Sequence, residues 1–287
     1  MRAFEYFEPK TVEEATKFLL DHGETARILA GGIDLIPRIR KEEFETDYVV
    51  NIQRIEGLDH VDYDSGNGLR FGATATLHAI EISGWVRKGY PAFHQAIHQI
   101  ASVQTKYMGT VVGNLCVGTP ASDVATALYA HGAFLSISGP QGDRMEPIQE
   151  FCTDYRCTSL TKGEMVTGVS VPPMKTGEGC GFTNLVRTHA DIAKLTVAVS
   201  ITTERDVCQE VRIAVGAAAP TVFRASKAEK TLMGRTLTPQ AIGEAAEVAS
   251  GETRPISDLR STAEYRKEMT RVLVRRALEK AIAAAKG

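Results

Sequence analysis

The sequence predicts an α+β fold built in two units. Three observations carry that reading. Short β-branched runs alternate with capped helical segments up to about residue 175. A composition change then follows GEMVTGVSVPPMKTGEG, whose prolines and glycines suggest a boundary near residue 175. Beyond it, three alternating apolar runs, which resemble a small antiparallel sheet, are followed by three helical patterns that close the chain. A length of 287 residues can support two hydrophobic cores.

Taken in order, Thr11 to Glu14 (TVEE) forms a capping box, Val12, Ala15, Phe18 and Leu19 make one apolar helical face, and Gly23 stops the helix. ARILA (26–30) is a short buried strand ending in Gly31-Gly32, and IDLIPRIRK continues as a short helix. DYVVNIQRI and LRFGATATL are further strands. Helices are expected over Leu77 to Val86 and Ala92 to Ser102, separated by Gly89 and Pro91. GTVVGN (109–114) looks like a strand that stops in a glycine and an asparagine, after which Ser122 or Asp123 can cap a helix through VATALYAHG. AFLSIS, the turn GPQGD and RMEPI make a hairpin. In the second unit FTNLVRT, AKLTVAVSITTE and CQEVRIAVGAA alternate as strands. Helices then run over Ala225 to Met233, from Thr238-Pro239 onward, and from the capping box Ser261 to Glu264. In that last helix Met269, Val272, Leu273, Leu278, Ala281 and Ile282 can face a core while the arginines and lysines stay solvated.

Composition removes several function classes. A formal charge of -2, from 33 Lys+Arg against 35 Asp+Glu, supplies no net basic field for a nucleic-acid backbone. No run reaches the roughly 20 apolar residues of a membrane span, and MRAFEYFEPK lacks the apolar core of a signal peptide, so the cytoplasm is the expected compartment. The five cysteines are odd in number and irregular in spacing, which argues against a disulfide framework. Cys152 and Cys157 in FCTDYRC lack the further cysteines that an iron-sulfur or structural zinc site takes, and are read as reduced thiols.

Two segments stand out as chemistry. In LAGGID (29–34) a strand delivers two glycines and then a carboxylate; in TVVGN (110–114) another delivers a glycine and an asparagine. Glycines let backbone N–H groups approach an anion closely, and two such turns can clamp one pyrophosphate. Neither segment fits GxxxxGK[ST] or GxGxxG, so a nucleotide-hydrolase or Rossmann reading fails. Each side chain also has a plainer role: Asp34 and Asp123 can be helix caps, and Asn114 can serve the turn.

Taken together, LAGGIDLIP, KYMGTVVGNLC, TPASD (119–123) and DIAK (191–194) resemble the flavoprotein subunit of the molybdenum hydroxylases, the family of the carbon monoxide dehydrogenase medium subunit and the xanthine dehydrogenase FAD domain. The resemblance covers essentially the whole chain. It implies an FAD-binding domain of the vanillyl-alcohol-oxidase-like (PCMH) type over 1–175, made of α+β subdomains at about 1–55 and 56–175, and a carbon monoxide dehydrogenase flavoprotein-like α+β domain over 176–287. Carried over by position, Ala30, Gly31, Gly32, Ile33, Asp34 and Leu35 form one FAD-binding turn and Thr110, Val111, Val112, Gly113 and Asn114 the other, with Asp123 and Val166 alongside and Ile192 over the flavin ring. No residue is assigned a catalytic proton or nucleophile, and no metal ligand is assigned.

Three positions depart from the family pattern. Val112 replaces the first glycine of TIGGN, and a β-branched residue resists positive φ. Asn184 stands where many members place a lysine in an FxKxxxR-like segment, with Arg187 retained. Ile192 is isoleucine, as in xanthine dehydrogenase-like members, rather than tyrosine. The resemblance further implies an electron-transfer role in a heterotrimer, with [2Fe-2S] clusters and a molybdopterin cofactor on partner subunits and NAD or a quinone as external acceptor. A free-standing FAD-dependent oxidoreductase and a scaffold with a degenerate FAD site are the competing readings.

Overall fold

The computed structural model describes residues 2–286. Its first layer comprises β1 (Glu5–Phe7), α1 (Val12–His22), β2 (Ala26–Leu29), α2 (Leu35–Arg40) and β3 (Tyr48–Asn51). β3 lies between β1 and β2 and runs parallel to both. The expected capping box forms with a small change. The Thr11 hydroxyl accepts the Glu14 N–H at 3.2 Å, whereas the Glu14 carboxylate reaches one residue further back, to the Lys10 N–H at 2.8 Å. Gly23, at φ 59°, ends the helix as expected.

The middle of the chain runs β4 (Val61–Asp64), β5 (Gly68–Gly72), α3 (Leu77–Ile82), α4 (Gly84–Gly89), α5 (Pro91–Gln99), α6 (Val103–Met108), α7 (Val111–Cys116), α8 (Asp123–His131), β6 (Phe134–Gly139), β7 (Gly142–Pro147), α9 (Ile148–Phe151), β8 (Cys152–Asp154), β9 (Cys157–Thr158) and β10 (Met165–Val171). An antiparallel sheet ordered β4-β5-β10-β6-β7 forms the floor of this part. The helix expected over 77–86 is two helices, broken where Ser83 turns extended at ψ 124°. The larger correction concerns GTVVGN. Its residues 111–116 are helical, and Thr110, extended at the N-cap, accepts the Gly113 N–H on its hydroxyl at 2.9 Å.

The remainder comprises β11 (Glu178–Leu185), β12 (Leu195–Glu204), β13 (Val207–Gly216), β14 (Phe223–Arg224), α10 (Ser226–Leu232), α11 (Pro239–Glu252) and α12 (Ala263–Lys286). The four strands form one antiparallel sheet in chain order. Both of its faces are covered. Val197, Val199, Ile201, Ile213 and Val215 join one core with α10, α11 and α12, while the alternate residues Ala198 and Ala214 join the other core with α8. A sheet buried on two sides needs apolar residues on both, which is why β12 reads as a nearly continuous apolar run.

Two details of the last helix differ from expectation. Its cap is Thr262, whose hydroxyl accepts the Tyr265 N–H at 3.2 Å, rather than Ser261. Arg266 is buried rather than solvated: its guanidinium donates to the carbonyls of Lys194 and Ala217, each at 2.8 Å, and to Asp258 at 2.7 Å. The core-facing set also includes Val274 and Ala277, whereas Val272 is only half-buried. Among the described residues no helix is long and apolar enough to cross a membrane, and all five cysteines are free thiols.

Candidate functional site

One cleft of about 510 Å³ is lined by every residue assigned above to FAD except Val111, which is buried in α7 away from the cleft lining. Its walls are the turn after β2, the start of α7, the start of α8, β10, and the loop joining β11 to β12.

The two glycine-bearing turns meet face to face. A Cβ on Gly31 would stand 2.2 Å from the Met108 carbonyl oxygen and 2.8 Å from Gly109 Cα, so only glycine lets the first turn approach the second this closely. Gly32 follows at φ 71°, in the left-handed region that reverses the chain into α2. Across this reversal the N–H groups of Ile33, Asp34 and Leu35 find no protein acceptor among the described residues, while Gln53 Nε2 holds the Ala30 carbonyl at 2.5 Å. Asp34 stands at the N-cap of α2 without capping it. Its carboxylate accepts instead from Arg38 at 3.3 Å, and Arg38 also pairs with Glu43 at 3.0 Å.

On the facing wall, Gly109 accepts the Leu77 N–H at 2.8 Å, which fixes the chain just ahead of α7. Val112 lies in the first turn of α7, is buried, and keeps an ordinary helical φ. The concern that a β-branched residue would resist positive φ at this position therefore falls away, because no positive φ is required there. Asn114 is oriented from its oxygen: Ser122 donates to Asn114 Oδ1 at 2.5 Å while accepting the Ala125 N–H at 3.0 Å as the cap of α8. The amide nitrogen of Asn114 is left without a partner among the described residues.

Because Ser122 caps α8, Asp123 is released from that duty and occupies the first helical position. It is 7% exposed, and among the described residues neither its Oδ1 nor the nearby Thr196 hydroxyl makes a hydrogen bond of ordinary geometry. Burial pushes its carboxyl up to about 7, against a smaller opposing pull from Thr196. Val166 is buried on β10 beside an irregularity in the pairing with β6.

Ile192 lies in the loop between β11 and β12, just ahead of the strand, and is 52% exposed. Asp191 accepts the Ile192 N–H at 2.9 Å, and Ala190 ahead of it takes φ 62°. Asn184 does not reach the cleft; it sits on β11 opposite Thr196 and lines a separate groove with Gln95, Arg276 and Lys280. Arg187 is exposed and pairs with Asp191 at 3.6 Å.

The sequence reading missed Ile100, Ala101 and Leu160, which line the cleft from segments between elements; Thr119 and Ala121 of TPASD line it too, although only Asp123 of that segment was assigned. Ala101 carried a signal only in three dimensions, a positive φ of 48° in a non-glycine residue. Ile100 and Leu160 are apolar residues without a distinguishing pattern.

Residues 2–174 match the model of the FAD binding domain in molybdopterin dehydrogenase, and residues 181–281 match that of the CO dehydrogenase flavoprotein C-terminal domain. The chain is 33% identical over 284 residues to the carbon monoxide dehydrogenase medium chain of Afipia carboxidovorans, covering 99% of this chain and 98% of that one. It is 28% identical over 284 residues to the xanthine dehydrogenase FAD-binding subunit of Escherichia coli O157:H7, covering 98% and 97%. Among solved structures, carbon monoxide dehydrogenase from Hydrogenophaga pseudoflava, in a form lacking the Mo-pyranopterin moiety of its molybdenum cofactor, superposes with a TM-score of 0.95 at 31% identity over 99% of this chain and 98% of that one. With both family models matched in order and a single cleft framed by the two glycine-bearing turns, this chain belongs to the FAD-binding subunits of the molybdopterin dehydrogenases, a family of oxidoreductase flavoproteins.

Proposed function

We propose that this chain carries FAD as the electron-transfer subunit of a cytoplasmic molybdenum hydroxylase built as a dimer of heterotrimers. In this reading electrons arrive from the [2Fe-2S] clusters of a small partner subunit, which draws them from a molybdopterin centre on a large one. They leave to an external acceptor such as NAD or a quinone.

The observation that carries the reading is the convergence of the two turns, Asn114, Asp123 and Ile192 on one cleft. The residues fit the cofactor. Gly31 leaves no room for a side chain, the Ile33, Asp34 and Leu35 N–H groups lack protein acceptors, and the buried Asp123 Oδ1 lacks a donor. Bound FAD supplies the exchange of single electrons and electron pairs; the protein supplies binding, orientation and electrostatics. The turns Ala30–Leu35 and Thr110–Asn114 would hold the pyrophosphate and its neighbours through backbone N–H groups. The Asn114 amide, kept in one orientation by Ser122, would donate to the same part of the molecule. Asp123 would answer a polar group at the cleft floor, Val166 would line that floor, and Ile192 would cover the ring at the mouth.

The test is the visible spectrum of the chain purified alone and together with its candidate partner subunits, with the released flavin identified by chromatography. About one FAD per chain, joined by iron-sulfur absorption only when partners are present, is expected. Absence of flavin after incubation with FAD would leave the scaffold reading in its place.

A further inference from the structure

The far end of α8 carries a second cluster of side chains, and the cleft does not use it. His131 closes α8, and Glu178 and Cys180 sit two apart on β11, the spacing that puts both on one face of a strand. One donor atom from each of the three lies within 4.8 Å of the other two. His131 Nδ1 is 4.0 Å from Cys180 Sγ, and the Met174 thioether stands 3.7 Å from the same sulfur. His131 and Cys180 are both more than nine-tenths buried, and His131 Nε2 has no hydrogen-bond partner among the described residues.

We propose that His131, Glu178 and Cys180 form a binding site for a borderline-soft divalent cation of the Zn²⁺ class, with Met174 as a neighbouring sulfur. Imidazole, thiolate and carboxylate are the donor types that Zn²⁺ takes, and three of them leave one position of a tetrahedron open. A harder ion such as Mg²⁺ or Ca²⁺ would require a shell made mostly of oxygen, and of the three side chains only Glu178 supplies it. The charges balance: on binding, Cys180 gives up its thiol proton to solvent, and thiolate plus carboxylate neutralise the divalent ion.

The outer groups also suit the role. Glu178 is held from both oxygens, by Ser200 Oγ at 2.5 Å and the Lys175 N–H at 2.8 Å, which fixes its carboxylate in one orientation. The Arg212 guanidinium is close enough to act on both His131 and Cys180 and opposes a bound cation; its pairing with Glu210 at 2.5 Å offsets part of that charge. The ligand atoms are somewhat wider apart than a bound ion would hold them, so binding draws β11 and the Met174 segment toward the end of α8. Asp123 and His131 stand at opposite ends of α8, about 12 Å apart along the helix axis. Loading this site therefore does not depend on flavin in the cleft.

Co²⁺ is the probe, titrated into the metal-free full chain. One equivalent is expected to bind with a thiolate-to-cobalt charge-transfer band and tetrahedral visible bands, and to raise the melting temperature. Glu178→Gln should weaken binding at least tenfold. Cys180→Ala should abolish the charge-transfer band, while the double variant Cys152→Ala, Cys157→Ala retains it. X-ray absorption on the Zn²⁺-loaded wild-type chain gives a reading that needs no variant: one sulfur at about 2.3 Å among nitrogen and oxygen ligands is expected. A shell of nitrogen and oxygen alone, a charge-transfer band that survives Cys180→Ala, or no binding at tenfold excess of Co²⁺ would each overturn the proposal.

Discussion

Asp123 shows how one residue's role depends on its neighbour's. Ser122 takes the cap of α8, so the adjacent carboxyl lies buried at the floor of the cleft with an unpartnered oxygen. Its raised affinity for a proton has a definite sign. Below the ordinary Asp value of 3.8, folded and unfolded chains are both protonated and nothing is lost. Between 3.8 and about 7 the unfolded chain releases its proton first, so stability falls as pH rises, and above about 7 the folded chain carries the full cost of a buried charge. Asp123→Asn in the flavin-free chain is therefore expected to be more stable than wild type by a few kcal/mol at about pH 8 and to differ little at about pH 4. Urea unfolding at the two pH values measures this; an equal difference at both would remove the buried-charge account. The sequence offered Ser122 and Asp123 as alternative caps and could not choose between them. The choice depends on Asn114, eight residues earlier, whose Oδ1 takes the Ser122 hydroxyl.

At the scale of elements, α7 marks where sequence pattern was least informative. Thr-Val-Val in a short apolar run suits a strand as well as a buried helix turn, and six residues are too few for periodicity to decide. The cap decided it: the Thr110 hydroxyl meets the Gly113 N–H, and the helix begins. By contrast α1, its cap and its glycine stop were legible because eleven residues show both a face and its two ends. The helical state of Val112 predicts that glycine is unnecessary there and necessary at Gly31. Val112→Gly should destabilise the chain by about 1 kcal/mol or more, from helix propensity and the lost buried side chain, and still bind FAD in full. Gly31→Ala would push a methyl group into the Met108 carbonyl, separating the two turns, and should reduce FAD affinity at least tenfold. Flavin-to-protein ratios after dialysis compare the two. Loss of flavin in Val112→Gly, with Gly31→Ala unaffected, would mean that the roles assigned to the two turns are wrong.

Across the whole molecule, α8 belongs to both halves of the chain. All nine of its residues are buried, since it packs on α5 and α7 on one side and on β12 and β13 on the other. The pairing is written into the sheet as small residues: Ala198 and Ala214 sit in the same core as α8 while their neighbours Val197, Val199, Ile213 and Val215 belong to the second core. Arg266 adds a polar tie within the second half, joining α12 to the carbonyls of Lys194 and Ala217; the sequence could not show this, because a basic helix is ordinarily solvated and the acceptors lie 72 and 49 residues away. We therefore expect the proposed division into 1–175 and 176–287 to describe ancestry and matching models better than independent stability. A fragment comprising residues 1–175 would leave the sheet-facing side of α8 bare, and an apolar surface of that kind drives aggregation. The expected outcome is a fragment that aggregates or binds hydrophobic dye, and a full chain that unfolds in one cooperative transition by calorimetry and by fluorescence alike. A soluble fragment that melts cooperatively, matching one of two separate transitions in the full chain, would show instead that the interface along α8 contributes little, and that the cleft, which draws Ile192 from the second half, is assembled from two bodies free to move apart.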